Sequence, residues 1–161
     1  MARIAYIENM KEWSDSFHFA HSVSVRFSET DMFGHLNNTV PFTYFEEARI
    51  EYLKAISFMA DWLNPEHDRI PVVADLQCDF LAQVYFGEEL LIHVKAHSIG
   101  NSSVDIHYKG TRQDDTIVFT GRGTIVQISR HTGKPVFWSE QQKNKLEAEK
   151  LQHAAHACSA G

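Results

Sequence analysis

One long amphipathic segment, placed before a series of strand-like runs, constrains the fold of this chain more than any other feature. Within Thr39–Phe58 the apolar side chains recur at four-residue steps, which is the spacing of one helix face. The stripe consists of Val40, Tyr44, Ala48, Tyr52 and Ile56, widened by Phe45, Leu53 and Phe58. The pattern predicts a single long helix with a broad buried face.

The beginning of this helix carries its own signals. Asn37, Asn38 and Thr39 have side chains that can cap the first helical amides, and Pro41 is tolerated in a first turn. Further inside the helix, Pro41 would remove an internal hydrogen bond. We therefore expect the first turn within a residue or two of Thr39.

Strand-like runs lie on both sides of the helix. Before it, His21–Phe27 alternates apolar and polar residues with a period of two. After it come four long runs with strand composition, Ile70–Leu81, Glu89–Ser98, Ser103–Gln113 and Thr116–Ser129. The breaks between these four runs are short and turn-like, which favours antiparallel pairing of consecutive strands. Ser139–His156 is rich in helix formers and predicts a solvated terminal helix.

The order of elements predicts an α+β fold, in which an antiparallel sheet of about five strands wraps around one long central helix. The chain has 161 residues, which fits one compact domain, and no repeat or linker divides it. We expect an N-terminal extension over residues 1–20, the main domain over 21–138, and a C-terminal helix and tail over 139–161. Because the edges of such a sheet need protection, we also expect at least a homodimer.

Charge and cysteine content restrict the possible partners and location. The formal net charge is −6, which argues against binding of nucleic acid or of an anionic membrane by the protein as a whole. The two cysteines, Cys78 and Cys158, have neither the spacing of a zinc site nor the density of a disulfide scaffold. Met1–Phe17 contains no continuous apolar stretch, so neither a signal peptide nor membrane insertion is expected. We expect a cytoplasmic protein.

Glu29–Asn38 holds the densest group of ionisable and amide side chains, between a buried strand and the start of the buried helix. The free amides at a helix N-terminus can hold an oxyanion or polarise a carbonyl group. Asp31 beside them could attack a thioester carbonyl or take a proton from water, and both routes suit acyl transfer to water. Gly34 would let the backbone approach a ligand closely.

The residues of this segment also have structural interpretations. Asp31 is of a type that often serves in turns and caps. His35 could be a general base, a metal ligand together with Asp31, or a histidine that bonds a loop carbonyl. Asn37 and Asn38 could be caps, ligand contacts or both.

Other polar groups give weaker signals. On the helix, Arg49 can pair with Glu46 three residues away. His153 and His156 have a three-residue spacing but no further ligands, so we predict no metal site. Cys78 is expected to be packed and not to act as a nucleophile. Motifs of common serine hydrolases, phosphate loops and dinucleotide-binding sites are absent from the sequence.

Two runs, Val25–Asn38 (VRFSETDMFGHLNN) and Tyr44–Arg49 (YFEEAR), closely resemble the 4-hydroxybenzoyl-CoA thioesterase-like branch of the hot-dog fold superfamily. Later motifs of that family have counterparts in the same order, namely Pro71–Val73 (PVV), Phe86–Leu90 (FGEEL), Gly100–Ser103 (GNSS) and Thr132–Val136 (TGKPV). The resemblance covers Ser22 to Val136. It departs from the usual pattern at Pro41, where many relatives have tyrosine, and at Gln83, near which a basic residue and a proline are common.

The resemblance implies hydrolysis of acyl-CoA thioesters by a homodimer or homotetramer, without a metal or other cofactor. Asp31 matches the catalytic aspartate of the family, and the amide of Asn38 would polarise the thioester carbonyl. By the same resemblance, Gly34 and His35 belong to the catalytic loop, and the substrate-binding residues are Asn37, Val73, Gly100, Ser102 and Ser103. The last three would lie near the CoA arm from the partner subunit. Two alternatives remain open: a thioesterase for acyl carrier protein, and a non-catalytic dimer that binds acyl-CoA or lipid.

Overall fold

The computed structural model describes the backbone of residues 3–159 and the side chains of residues 3–150. The helices are α1 (Met10–Asp15), α2 (Val40–Ala55), α3 (Met59–Leu63) and α4 (Glu140–Ser159). The strands are β1 (Phe19–Ser24), β2 (Ile70–Phe80), β3 (Glu89–Ile99), β4 (Ser103–Thr111) and β5 (Ile117–Ile128). The predicted α+β class is confirmed, with a five-stranded antiparallel sheet, a central helix and a C-terminal helix.

The strand order in the sheet is β1-β3-β4-β5-β2. The predicted consecutive pairing is correct for β3 with β4 and for β4 with β5. For β2 and β3 it is wrong, because β2 pairs with β5 at the opposite edge while β3 pairs with β1. The break between β2 and β3 is residues 81–88, which is long enough to cross from one side of the sheet to the other and is not a tight turn. The crossing places β2 at an open edge.

Helix α2 packs against the sheet through its predicted apolar stripe. Tyr44, Phe45, Ala48, Tyr52 and Leu53 are all buried. The ring of Phe45 stacks on Tyr108 with a centroid distance of 4.4 Å, and a Cβ atom added at Gly121 would meet the Phe45 ring at 2.4 Å. Close approach of helix and sheet therefore depends on a residue without a side chain at position 121.

The ends of the elements differ from the prediction in ways that have local causes. Strand β1 stops at Ser24, three residues before the predicted end, because Phe27–Glu29 forms a short 3₁₀ helix. Helix α2 begins at Val40 with Pro41 in its first turn, as expected. Thr39 is the N-cap residue but makes no capping bond through its side chain.

The N-terminal segment covers the face of the sheet opposite to α2. Ile4, Ile7, Trp13 and Phe17 form a second apolar cluster, and α1 lies within this segment. Residues alternate between faces along a strand, so Tyr108 points toward α2 while His107 points toward Trp13. Helix α1 lies within the predicted N-terminal extension, residues 1–20, for which the sequence pattern indicates no helix.

The two cysteines and the helices complete the description. Cys78 is half-buried, and burial raises the pKa of its thiol to about 12, which agrees with a packed, unreactive residue. The side chains of Cys158, His153 and His156 lie outside the described residues. Over residues 3–159, none of the helices is both long and apolar enough to traverse a lipid bilayer.

Candidate active site

The loop between β1 and α2 fixes the carboxylate of Asp31 by hydrogen bonds within the loop. Asp31 Oδ1 accepts from the backbone amide of Phe33 at 2.8 Å and from that of His35 at 3.2 Å. The Asp31 amide donates back to the carbonyl oxygen of His35 at 2.8 Å. Gly34 closes the turn with φ +80°, a conformation that side-chain-bearing residues adopt at a cost. Oδ2 accepts no hydrogen bond from the described residues and remains free.

The amide of Asn38 is a free donor of the same loop within the described residues. The amide of Asn37 donates to the carbonyl oxygen of Glu29 at 2.8 Å, and that of Thr39 to Asn37 Oδ1 at 3.1 Å. The Asn38 amide, between them, donates to no acceptor in the described part of the chain. It lies just before the first turn of α2, where the helix carries partial positive charge. An oxyanion placed there would find an unused N–H group.

The residues that carry these two groups, Asp31 and Asn38, line one cavity of about 650 Å³. His35 and Asn37 are further polar residues of its lining. The apolar wall comes from the end of β2, the crossing segment after it and β5, and includes Phe80, Leu81, Ala82, Val84 and Phe119. A reactive polar end beside an apolar wall suits a ligand with a polar reacting group and an apolar body. Residue spacing does not predict this wall. The strand order, and not the local sequence, brings β5 and the crossing segment next to the Asp31 loop.

Glu29 ties the loop to the central helix. Its Oε2 accepts from the hydroxyl of Tyr44 at 2.6 Å and from the amide of Arg26 at 2.9 Å. Burial and the hydrogen bond to Glu29 raise the pKa of Tyr44 well above its usual range, so the phenol stays protonated as a donor. Glu29, which is not among the predicted site residues, thereby holds the loop against α2.

His35 lines the cavity, and its hydrogen bonds with Asp31 run only through its backbone. The ring lies edge-on to Tyr85 with a centroid distance of 5.3 Å. No ion pair or ring hydrogen bond links these two described residues, His35 and Asp31. The arrangement does not favour the alternative in which the pair binds a metal, and no three histidine, cysteine, aspartate or glutamate side chains converge on a metal-like site among the described residues.

The remaining predicted substrate-binding residues lie away from this cavity in a single chain. Gly100 and Ser102 lie in the turn between β3 and β4, and Ser103 begins β4, whereas Asp31 lies near the other end of β3. At the usual rise of about 3.3 Å per residue, the two ends of this strand are roughly 35 Å apart. Val73 lies on β2 beside a separate cavity.

That second cavity has a volume of about 250 Å³ and lies between α2 and the start of β2. Arg49 and Glu46 both line it. The ion pair expected between them does not form, because Arg49 Nη1 turns toward the sheet and donates to the hydroxyl of Tyr108 at 3.1 Å. The buried position of Arg49 on the inner side of the helix draws it away from the exposed Glu46.

Residues 25–146 match the family model of the thioesterase-like superfamily. The chain belongs to this superfamily. The resemblance to hot-dog thioesterases is thereby confirmed, and the matched region contains the Asp31 loop, α2 and all the strands from β2 to β5. Thioester hydrolysis is the activity of the class to which this thioesterase-like chain belongs.

Several known proteins are similar to this thioesterase-like chain in sequence or in fold. The chain is 47% identical to the uncharacterized protein YsmA of Bacillus subtilis (strain 168) over 143 residues. The match covers 88% of this chain and 95% of YsmA. A predicted thioesterase from Bacillus stearothermophilus has a similar structure, with 27% identity and a TM-score of 0.70 over 81% of this chain and 95% of that one. The DHNA-CoA thioesterase of Staphylococcus aureus shares the fold at 19% identity and a TM-score of 0.72, over 88% of this chain and 94% of that one.

Proposed function

We propose that this chain hydrolyses acyl-CoA thioesters, with Asp31 as the reacting carboxylate and the Asn38 amide as the oxyanion donor. One observation carries the proposal. Asp31, which has a carboxylate oxygen free of hydrogen bonds within the described chain, and Asn38, which has an unused amide, line the same cavity, at the positive end of a helix and beside an apolar wall. Groups that are held in place but not yet hydrogen-bonded are what an acyl-transfer site requires.

Two routes use the same carboxylate. In the first, Asp31 Oδ2 attacks the thioester carbon, the C–S bond breaks, CoA leaves as a thiolate, and water hydrolyses the resulting mixed anhydride. In the second, Asp31 takes a proton from water, the hydroxide adds to the same carbon, and the thiolate leaves. Both develop negative charge on the carbonyl oxygen, where one oxyanion donor is worth about 10²–10³ in kcat. Trapping an acylated protein by rapid acid quench separates the first route from the second.

The other loop residues serve this chemistry by position. Gly34 permits the turn that presents the Phe33 and His35 amides to Asp31. Asn37 Oδ1 accepts from the Thr39 amide and so does not occupy the Asn38 amide, which stays available as the oxyanion donor. His35 and Asn37 line the cavity in which the reacting carbon would lie.

A homodimer, or a homotetramer built from it, would complete the site. Strand β2 is an open edge of eleven residues, and Val73 and Phe80 on it are exposed. More exposed apolar side chains surround the Asp31 loop, namely Phe27, Met32, Phe33, Tyr85 and Phe86. Open edges and apolar patches of this kind favour association. A second copy is also the means by which Gly100, Ser102 and Ser103 can approach an Asp31 cavity and bind the CoA arm.

The test is release of free CoA thiol from a panel of aliphatic and aromatic acyl-CoAs, together with acyl carrier protein thioesters, while light scattering reports the oligomeric state. Turnover of acyl-CoA by a dimer or tetramer is the expected result. Turnover of carrier-protein thioesters alone would replace the proposed substrate. Tight acyl-CoA binding without any thiol release would replace the enzyme with a binding protein.

A further inference from the structure

Arg49 occupies an unusual position for a charged residue. It lies on the inner side of α2 with only 9% of its surface exposed, and its Nη1 donates to the Tyr108 hydroxyl at 3.1 Å. Tyr108 is itself buried, and Phe45 stacks on its ring. A guanidinium has five N–H donors, so one hydrogen bond leaves most of its capacity unused.

No carboxylate of the described residues forms an ion pair with Arg49, although Glu46 is one helical turn away. Three other partly buried arginines all have such partners. Arg69 pairs with Asp61, Arg112 with Glu88, and Arg122 with both Asp75 and Asp105, at distances of 2.6–2.9 Å. Burying a guanidinium without a countercharge is costly. An anion from outside the described chain would remove that cost.

The space for such an anion is the second cavity. It lies beside Arg49, has a volume of about 250 Å³, and its other walls are mainly apolar, including Leu53, Trp62 and Val72. Nε and Nη2 of Arg49 donate to no acceptor in the described chain, yet neither atom is sealed from solvent. At roughly 30 Å³ for each water-sized group, the cavity holds about eight non-hydrogen atoms.

We propose that this cavity binds a carboxylate carried on a small apolar body, with Arg49 as its ligand. Nε and Nη2 form one side of the guanidinium fork, which matches the two oxygens of a carboxylate. The volume suits a body of about six carbons, aliphatic or aromatic, packed between Trp62 and the aliphatic side chains. Glu46 at the exposed rim opposes the bound charge and so limits the affinity.

Two sources could supply this carboxylate. It is either a free acid or the distal carboxylate of an acyl group bound as its thioester. The second source rests on the proposed function and its dimer, because the two cavities of one chain share no lining residue, so that an acyl group bound at Asp31 of one copy would have to enter the Arg49 cavity of the other. Binding of a free acid is independent of hydrolysis.

The test is calorimetric titration of the full-length protein with hexanoate, benzoate and the neutral hexanamide. We expect saturable binding of the carboxylates and much weaker binding of hexanamide. Arg49→Gln should weaken hexanoate binding by about 10- to 100-fold, the usual effect of losing charge-assisted hydrogen bonds. Glu46→Gln, which changes an exposed residue, should tighten it by about two- to five-fold. The exposed Arg130→Gln is the matched control and should leave the affinity unchanged.

Trp62 tests whether the carboxylate binds in this cavity. The tryptophan fluorescence of the protein should change on titration with hexanoate, and Trp62→Phe should abolish that change. Hexanoate and hexanamide binding with equal affinity, or no hexanoate binding at all, would overturn the proposal. If Arg49→Gln fails to fold, the Glu46→Gln result decides, and an unchanged affinity contradicts the proposal. Loss of self-association in Arg49→Gln, together with no hexanoate binding by the wild type, would assign Arg49 to a contact between copies instead.

Comparing hydrolysis of hexanoyl-CoA with that of the CoA thioester of a six-carbon dicarboxylic acid separates the two sources. A preference for the dicarboxylic thioester that disappears in Arg49→Gln identifies the distal carboxylate of an acyl group. Equal rates, with hexanoate binding retained, identify a free acid. The Asp31→Asn variant keeps this inference distinct from the proposed function. It should still bind hexanoate, because binding at Arg49 requires no hydrolysis.

Discussion

The indole Nε1–H of Trp13 donates to Nδ1 of His107 over 2.8 Å, which joins the N-terminal segment to the outer face of the sheet. Indole nitrogen is only a donor, so Nδ1 must be the acceptor and the ring proton must reside on Nε2. From there it donates to Asp105 Oδ2 at 3.0 Å. Burial keeps the pKa of His107 below its usual value, despite the opposing effect of Asp105. The contact therefore requires a neutral histidine.

The first prediction is loss of stability in mild acid. Burial, with repulsion from nearby lysine and histidine side chains, lowers the pKa of His93 and of His97 to about 4, and His107 shifts in the same direction. Between about pH 6.5, where unfolded histidine titrates, and about pH 4, the unfolded chain binds more protons than the folded one. The free energy of unfolding should therefore decrease as the pH is lowered through this window, by at most about 1.4 kcal/mol per pH unit for each of the partly or fully buried His93 and His107, and by less for the exposed His97, whose charge solvent screens.

Urea denaturation at several pH values checks this prediction. The carboxylates with lowered pKa, such as Asp75 and Asp105, contribute only below the unfolded value of about 4, so they do not obscure the window. A free energy of unfolding that stays constant between about pH 7 and about pH 5 would contradict the account.

The second prediction concerns Trp13→Phe. Phenylalanine keeps much of the packing against Phe17 but leaves His107 Nδ1 without its donor, which should cost about 1–3 kcal/mol near neutral pH. The cost should shrink in mild acid. Protonated His107 carries a hydrogen on Nδ1, which opposes the Trp13 N–H group in the wild type but meets no N–H group in the variant. Trp138→Phe is the control, since Trp138 donates to the carbonyl oxygen of Ser103, which does not titrate. Equal pH dependence of the two variants in urea denaturation would refute the role of His107.

The third prediction concerns Gly34→Ala. Gly34 has φ +80° and Gly133 has φ +69°, and an added Cβ would meet no atom within 4 Å at either position. Both alanine variants should therefore lose about 1–2 kcal/mol from backbone strain alone. Only Gly34→Ala displaces the turn that orients Asp31, so only it should lower kcat, by about 10- to 100-fold. Unfolding and thiol-release assays on both variants check this, and equal effects on kcat would exclude the role of the turn.

Most of the fold follows from local sequence patterns. The stripe from Val40 to Ile56 predicts α2, and the four runs after it match β2 to β5 within a few residues. The pairing of β2 was not predictable from local patterns. It depends on residues 81–88 crossing the sheet, so that β2 pairs with the free edge of β5 and not with β3. Helix α1 also has no strong local signal, since its six residues depend on contacts with the sheet.

The site was predictable to a lesser extent. Asp31, Gly34 and Asn38 are recognisable because reactive and capping residues cluster before an apolar helix. The support from Glu29 to Tyr44 and the apolar wall at Phe119 depend on tertiary contacts and leave no mark in residue spacing. Gly100 and Asp31 are likewise separated by tertiary structure, because they lie near opposite ends of β3.

The most direct test of the account is acyl-CoA hydrolysis by Asp31→Asn. Asparagine keeps the Oδ1 acceptor for the Phe33 and His35 amides and removes the charge of Oδ2, so the loop should survive. Asp114→Asn is a matched control, because Asp114 Oδ1 likewise accepts from an amide two residues on, that of Thr116. We predict that Asp31→Asn lowers kcat by about 10²–10⁴-fold while acyl-CoA binding and the free energy of unfolding are retained. Hydrolysis by Asp31→Asn at the wild-type rate would contradict the central claim.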